Sequence, residues 1–238
     1  MVTISERDRA KNAFADPQPY LRNNPYVDLR AEAVRRLLPR REGLSIIDLG
    51  CGDGLISIPL ATDSCDLLLV DSSAGMLDRA RSNVPTGAMN RVRYECVDLA
   101  DFESRQKFDI VLCIGVLAHV RNPAATLRQI ADLVGPHGCA VVQLTDDSYC
   151  LGRLTHKVGE LRRRLSDAPS HTLNHMTLQS VCSELQSTGL HLLNSYRYVF
   201  VPGLRHLPSP MTRAVVRAVN GSSLSQRGGE VLALFTRT

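Results

Sequence analysis

The stretch Ile46-Ile47-Asp48-Leu49-Gly50-Cys51-Gly52-Asp53-Gly54 decides the fold. An apolar run from Leu44 to Leu49 breaks at Gly50, and three glycines then alternate with other residues. Continuous apolar character over so few residues suits a parallel strand buried on both faces. Glycines after it let the backbone turn sharply and approach a ligand closely. Leu55 stands where the third glycine of the dinucleotide pattern G-x-G-x-x-G would fall, so the turn departs from that fingerprint. Asp48, at the end of the strand, is placed to meet a cationic group.

Outward from this turn, strands and helices alternate from about residue 28 to residue 145. Val27 to Leu38 reads as a helix with Val34, Leu37 and Leu38 on its apolar side, stopped by Pro39. Leu67 to Val70 is a second apolar run ending in Asp71, and Ser72 or Ser73 caps a helix reaching about Asn83. Arg91 to Val97 alternates, and Phe108 to Ile114 is again continuously apolar. A helix from Pro123 to about Val134 has proline in its first turn and Gly135-Pro136 beyond its end, and Cys139 to Leu144 closes the series as a fifth strand. Strands separated by helices imply βαβ units and a mainly parallel sheet.

After residue 145 the rhythm changes. Leu151, Leu154, Val158, Leu161 and Leu165 form one apolar stripe on a basic helix that carries Arg162, Arg163 and Arg164. Thr177 to Thr188 predicts a further helix. Two strand-like segments, 190 to 201 and 230 to 237, flank a Pro- and Ser-rich stretch with a short helix near Thr212 to Val219.

Bulk properties narrow the function classes. The length of 238 residues suits one α/β domain with decorations. No apolar run reaches the roughly 18 residues of a membrane span, and the charged N-terminus has no apolar core of a signal sequence. A cytoplasmic protein is expected. The seven cysteines are odd in number and show no C-x-x-C pair, so reduced thiols are expected rather than a disulfide framework or a zinc site. A net charge of +4 is too mild to imply nucleic acid.

Four segments, in order, carry a family resemblance. The glycine turn resembles motif I of class I S-adenosylmethionine-dependent methyltransferases, D/E-x-G-x-G-x-G. Asp71-Ser72-Ser73-Ala74-Gly75-Met76-Leu77 is similar to the family's D-x-S-x-x-M-L segment, Val97-Asp98-Leu99 is placed like its adenine site, and Cys113 to Val120 resembles motif IV with its L-x-H-V ending. The resemblance covers roughly residues 44 to 145. It implies a three-layer α/β/α sandwich around a seven-stranded sheet in the order 3-2-1-4-5-7-6, with strand 7 antiparallel.

Site residues follow from the same resemblance. S-adenosylmethionine, with its ammonium and sulfonium, suits the acidic rim around Asp48. Gly50, Cys51 and Gly52 approach it, Asp71 and Ser72 lie at the ribose, Met76 lies along the adenine, Asp98 and Leu99 read the base, and Cys113 borders the cleft. Tyr20 closes over the methionine part from an N-terminal segment, residues 1–40, that also holds Tyr26 and Arg30. His119 is the candidate base. Each has a structural alternative: Asp71 and Asp98 as helix caps, Met76 as core, His119 as a turn residue bonded to backbone. His171 and His175 are i, i+4 neighbours without an evident third ligand, so no metal is expected. Asn24-Pro25-Tyr26 lacks one proline of the motif used on nucleic-acid amines and precedes motif I, so it carries no weight.

The acceptor is less legible. Residues 146–176 and 202–229 stand as insertions over the carboxyl edge of the sheet and would enclose a small molecule, and the basic helix suits an anionic one. The expected activity is O- or N-methylation of a small metabolite, releasing S-adenosylhomocysteine, with a homodimer possible and no nucleic acid expected. The alternatives are an RNA or protein methyltransferase, a non-catalytic cofactor-binding partner subunit and an NAD-dependent oxidoreductase.

Overall fold

The structure, a computed structural model, describes residues 26–39, 42–61, 64–146, 148, 174, 176–201, 204 and 209–237. Helix α1 (Tyr26–Leu37) carries Asp28 in its first turn and Arg35 and Arg36 in its last, each complementing the helix dipole. Strand β1 (Ser45–Leu49) follows, then the short α2 (Ile58–Ala61), β2 (Asp66–Asp71), α3 (Ala74–Asn83) and β3 (Val92–Cys96). Strand β4 (Phe108–Cys113), α4 (Pro123–Leu133), β5 (Val134–Thr145), α5 (Leu178–Gln186), β6 (Leu190–Tyr198), α6 (Ser209–Asn220) and β7 (Glu230–Arg237) complete the order. The helix starts follow local chemistry. Ser73 accepts the Met76 N–H ahead of α3, Asn122 accepts the Ala125 N–H ahead of α4, and Thr177 and Ser180 form a reciprocal capping box on α5.

The seven strands form one sheet in the order β3-β2-β1-β4-β5-β7-β6. β7 runs antiparallel to both β5 and β6, and the other pairings are parallel. This is the order and polarity expected from the sequence. Alternation along β1 sends Ile46 into one core and Ile47 and Leu49 into the other. The first core lies under α1, α2, α3 and α6, and holds Val34, Ile58, Leu77 and Val216. The second lies under α4 and α5, with Leu127, Ile130, Val181 and Leu185 fully buried. Each such side chain contributes about 1.5–3 kcal/mol by leaving water. These two cores are why the strands read as continuous apolar runs.

The fifth strand differs from expectation. It begins at Val134, directly from α4, and includes the Gly135-Pro136 that the sequence assigns to a loop. Val134 pairs with Phe108, and the register slips before Ile110 pairs with Cys139. Gly138 allows the slip, because a Cβ there would stand 2.8 Å from the Phe108 carbonyl oxygen. Among the described residues no helix is long and apolar enough to cross a membrane.

Candidate cofactor and methyl-transfer site

The carboxyl ends of β1, β2 and β4 meet where strand order reverses, the usual ligand crevice of open α/β sheets. The Gly50 and Cys51 N–H groups both donate to the Val70 carbonyl, at 2.8 and 3.0 Å, which pins the turn after β1 to the end of β2. Gly50 takes φ +70°, and a Cβ there would stand 2.4 Å from Val116 Cγ2. Gly52 takes φ +57°, but an added Cβ would meet nothing within 4 Å. One glycine thus admits the protein's own packing, and the other faces open space.

Asp71 ends β2 with both carboxylate oxygens engaged. Oδ2 accepts the Gly52 N–H and Oδ1 accepts the Ser73 N–H, each at 2.8 Å. Each oxygen keeps a lone pair for a ligand hydroxyl. Burial pushes the Asp71 carboxyl up, and the backbone donors pull against it.

Asp48 is 3% exposed. Burial pushes its carboxyl up to about 7 and the Asp71 charge adds to this, while the nearby Ser57 hydroxyl works the other way. Ser57 Oγ itself is buried without a hydrogen bond of normal geometry. Burial, Asp48 and Asp71 together push the Cys51 thiol up as well. A cation in this crevice would favour the ionised form of both acids. The crevice therefore fits a positively charged ligand that also carries a ribose, which is what S-adenosylmethionine is.

The other expected positions spread around this centre. Met76 is buried at the start of α3, outside both apolar cores. Ser72 is exposed at the rim. Asp98 caps a 3-10 turn (Leu99–Asp101) by accepting the Ala100 N–H at 3.1 Å, and Leu99 packs on the second core. Cys113 is fully buried in that second core, and burial followed by the Asp48 charge pushes its thiol up. It therefore meets the crevice through its backbone and not its sulfur. His119 is exposed on the turn after β4, where its N–H donates to the Val116 carbonyl at 2.8 Å. Tyr20, His171, His175 and the basic stretch 151–165 lie outside the described residues.

Two positioning residues escaped the sequence reading. Asn174 donates its side-chain N–H groups to the Leu117 and Val120 carbonyls, and its backbone N–H to the Ala118 carbonyl at 2.9 Å, clamping the turn that carries His119. Gln129 of α4 donates to the Leu99 and Phe102 carbonyls at 3.0 and 2.8 Å, fixing the turn after β3. Neither belongs to a short motif, and both act on backbone oxygens that no sequence pattern displays. A recess of about 400 Å³ between that turn and α4, lined by Phe102, Arg128 and Gln129 among others, lies away from the glycine turn and is not the crevice described above.

A methyltransferase-domain family matches residues 20–195. The chain belongs to that family. It is 37% identical over 112 residues to the ubiquinone biosynthesis O-methyltransferase of Azorhizobium caulinodans, covering 46% of this chain and 43% of that relative. The corresponding enzyme of Ruegeria pomeroyi is 28% identical over 163 residues, covering 67% and 65%. The matches thus span between two fifths and two thirds of these relatives' lengths. Among solved structures, the N-methyltransferase NodS of Bradyrhizobium japonicum, in complex with S-adenosyl-L-homocysteine, superposes with a TM-score of 0.66 at 16% identity, covering 98% of each chain. That likeness shows the fold. Family, fold and crevice agree on S-adenosylmethionine as the cofactor.

Proposed function

We propose that this protein moves a methyl group from S-adenosylmethionine to an oxygen or nitrogen of a small metabolite, with S-adenosylhomocysteine as coproduct. The observation that carries the reading is the joint placement of the glycine turn, buried Asp48 and doubly bonded Asp71 at one sheet edge. When bound, the cofactor supplies a methyl carbon on a positive sulfur, which keeps the electron pair of the broken C–S bond as the acceptor's lone pair takes the methyl.

The chain's own work is to hold and orient. Gly50, Cys51 and Gly52 border the methionine end, and Asp48 balances its positive charge. Asp71, with Ser72 beside it, takes the ribose hydroxyls. Met76 lies along the adenine, while Asp98 accepts its exocyclic amine and the Leu99 N–H meets a ring nitrogen. Cys113 lends backbone. Placement of a nucleophile in line with the methyl supplies on the order of 7–11 kcal/mol of barrier reduction. His119 accepts the acceptor's proton, worth about 10²- to 10⁴-fold where a proton must leave. The clamp of Asn174 on its turn supports that role.

In this reading the chain is one methyltransferase domain over residues 1–238, with 1–40 covering the cofactor and 146–176 and 202–229 capping the acceptor. That none of the six described cysteines is held in a disulfide suits a cytoplasmic protein that works as a homodimer or alone. The test supplies methyl-labelled cofactor together with separated small-molecule, RNA and protein fractions. Label entering the small-molecule fraction, and lost by at least about 10²-fold in His119→Ala, is the expected result. Label confined to RNA or protein would contradict it.

A further inference from the structure

Beyond β4, on the α1 side of the sheet, four polar side chains from four elements meet. Tyr198 of β6 is fully buried, and its hydroxyl accepts from Arg30 Nε of α1 at 2.9 Å and from Gln143 Nε2 of β5 at 2.8 Å. Guanidinium and amide nitrogens only donate, so the phenol oxygen must accept from both. Its own proton remains to be given, and no described residue takes it. Burial holds that proton on the oxygen, with Arg30 opposing and Glu230 reinforcing.

The Gln143 amide is oriented without ambiguity. Its Nε2 also donates to Glu230 Oε2 at 2.8 Å, and a carboxylate admits only the nitrogen there. Gln143 Oε1 therefore points away from both partners, buried and accepting nothing. A buried acceptor left unmade is costly, which calls for a donor from elsewhere.

Gly115 lies beside the Gln143 oxygen. It takes φ +76°, and a Cβ on it would stand 4.0 Å from Gln143 Oε1 and 3.9 Å from Arg30 Nη1. The next residue, Val116, packs against Gly50 of the cofactor turn. A donor in want of an acceptor and an acceptor in want of a donor thus stand together, beside the cofactor crevice. Arg30 and Glu230 carry opposite charges within the cluster, so it does not ask for an ionised ligand.

We propose that Tyr198 and Gln143 form the subsite for the polar end of the methyl acceptor, and that this end is a neutral group with a hydrogen-bond acceptor next to a donor. A carboxamide, lactam or hydroxy-carbonyl has that edge. Its oxygen takes the Tyr198 O–H and its N–H or O–H donates to Gln143 Oε1. The inference rests on the methyltransferase reading above. It adds that the end nearest the methyl is uncharged, whatever charge the rest of the acceptor carries.

The test uses the full chain saturated with S-adenosylhomocysteine and three probes followed by ligand-observed NMR: benzamide, N,N-dimethylbenzamide and benzoate. Benzamide should bind at least about fivefold more tightly than either of the others, the worth of one neutral hydrogen bond. Tyr198→Phe and Gln143→Met should each erase that preference, with S-adenosylhomocysteine affinity held within about twofold as the control for folding. Absent benzamide binding, equal or tighter benzoate binding, or a preference that survives Tyr198→Phe would overturn the subsite and leave the methyltransferase reading standing. A tenfold loss of S-adenosylhomocysteine affinity in folded Tyr198→Phe would assign the cluster to the cofactor instead, overturning the proposal. Failure of the wild type to bind S-adenosylhomocysteine at all would overturn the underlying reading and this one with it.

Discussion

The backbone N–H of Gly52 donates to Asp71 Oδ2 at 2.8 Å. That single bond joins the turn after the first strand to the end of the second. It means the carboxylate proposed to take the ribose is already aimed before a ligand arrives, because a second backbone donor, from Ser73, holds its other oxygen. Pre-set orientation lowers the ordering cost of binding.

Gly50 and Gly52 separate folding from binding. Both stand at positive φ, so alanine at either is strained by about 1–3 kcal/mol. At Gly50 the new Cβ would also clash with Val116, whereas at Gly52 it meets only open space. Gly50→Ala should therefore lower thermal stability more than Gly52→Ala. Gly52→Ala should instead lose cofactor affinity by at least about tenfold while remaining folded. Thermal unfolding and calorimetry on the two purified variants check both halves.

Asp48 predicts a pH dependence of cofactor binding. Its carboxyl is raised to about 7 in the folded chain, chiefly by burial, against an ordinary value near 4. The folded protein thus holds a proton that the unfolded chain gives up. Stability contributed by this group is complete below about pH 4 and falls as the pH rises toward 7. A cationic cofactor favours the ionised form, so its affinity should rise with pH by up to about tenfold per unit below 7 and level off above. Asp48→Asn should flatten that profile and weaken binding at pH 8, as read by calorimetry across pH 5.5 to 8.5.

Asn174 predicts a split between binding and turnover. Its side chain holds the Leu117 and Val120 carbonyls on either side of His119. Asn174→Ala leaves those oxygens without it, at a cost of about 1–3 kcal/mol in the order of the turn. Cofactor affinity should change little, because Asn174 makes no described contact with the glycine turn or Asp71. Methyl transfer should fall by about tenfold or more in kcat, and Asn174→Gln should not restore it. Paired calorimetry and product assays read the two effects separately.

Much of this site was legible in the sequence because its chemistry is local. The glycine turn and Asp71 lie at the ends of apolar runs and Asp98 at the end of an alternating one, and periodicity marks those ends without a structure. The sheet order followed from the family resemblance, and strands buried on both faces made their boundaries sharp. Long-range partners were not legible. Asn174 reaches carbonyls 57 and 54 positions away, and Tyr198 meets Arg30 across 168. No spacing rule spans such distances. The β5 start was misread for a different reason. Gly135-Pro136 looks like a helix-ending turn, yet glycine at 138 lets the chain pass close over the Phe108 carbonyl and pair at once. Cys113 read as a crevice residue because it ends β4, but strand alternation turns its sulfur into the second core.

The central claim is that a sulfonium nucleoside binds at Asp48 and Asp71. The most direct test is calorimetric titration of the wild type and Asp71→Ala with S-adenosylmethionine, S-adenosylhomocysteine and NAD. Binding of the two sulfur nucleosides in the micromolar range, absent for NAD and weakened by at least about 10²-fold in the variant, is the predicted result. Binding of NAD, or equal binding of the sulfur nucleosides to wild type and Asp71→Ala, would contradict it.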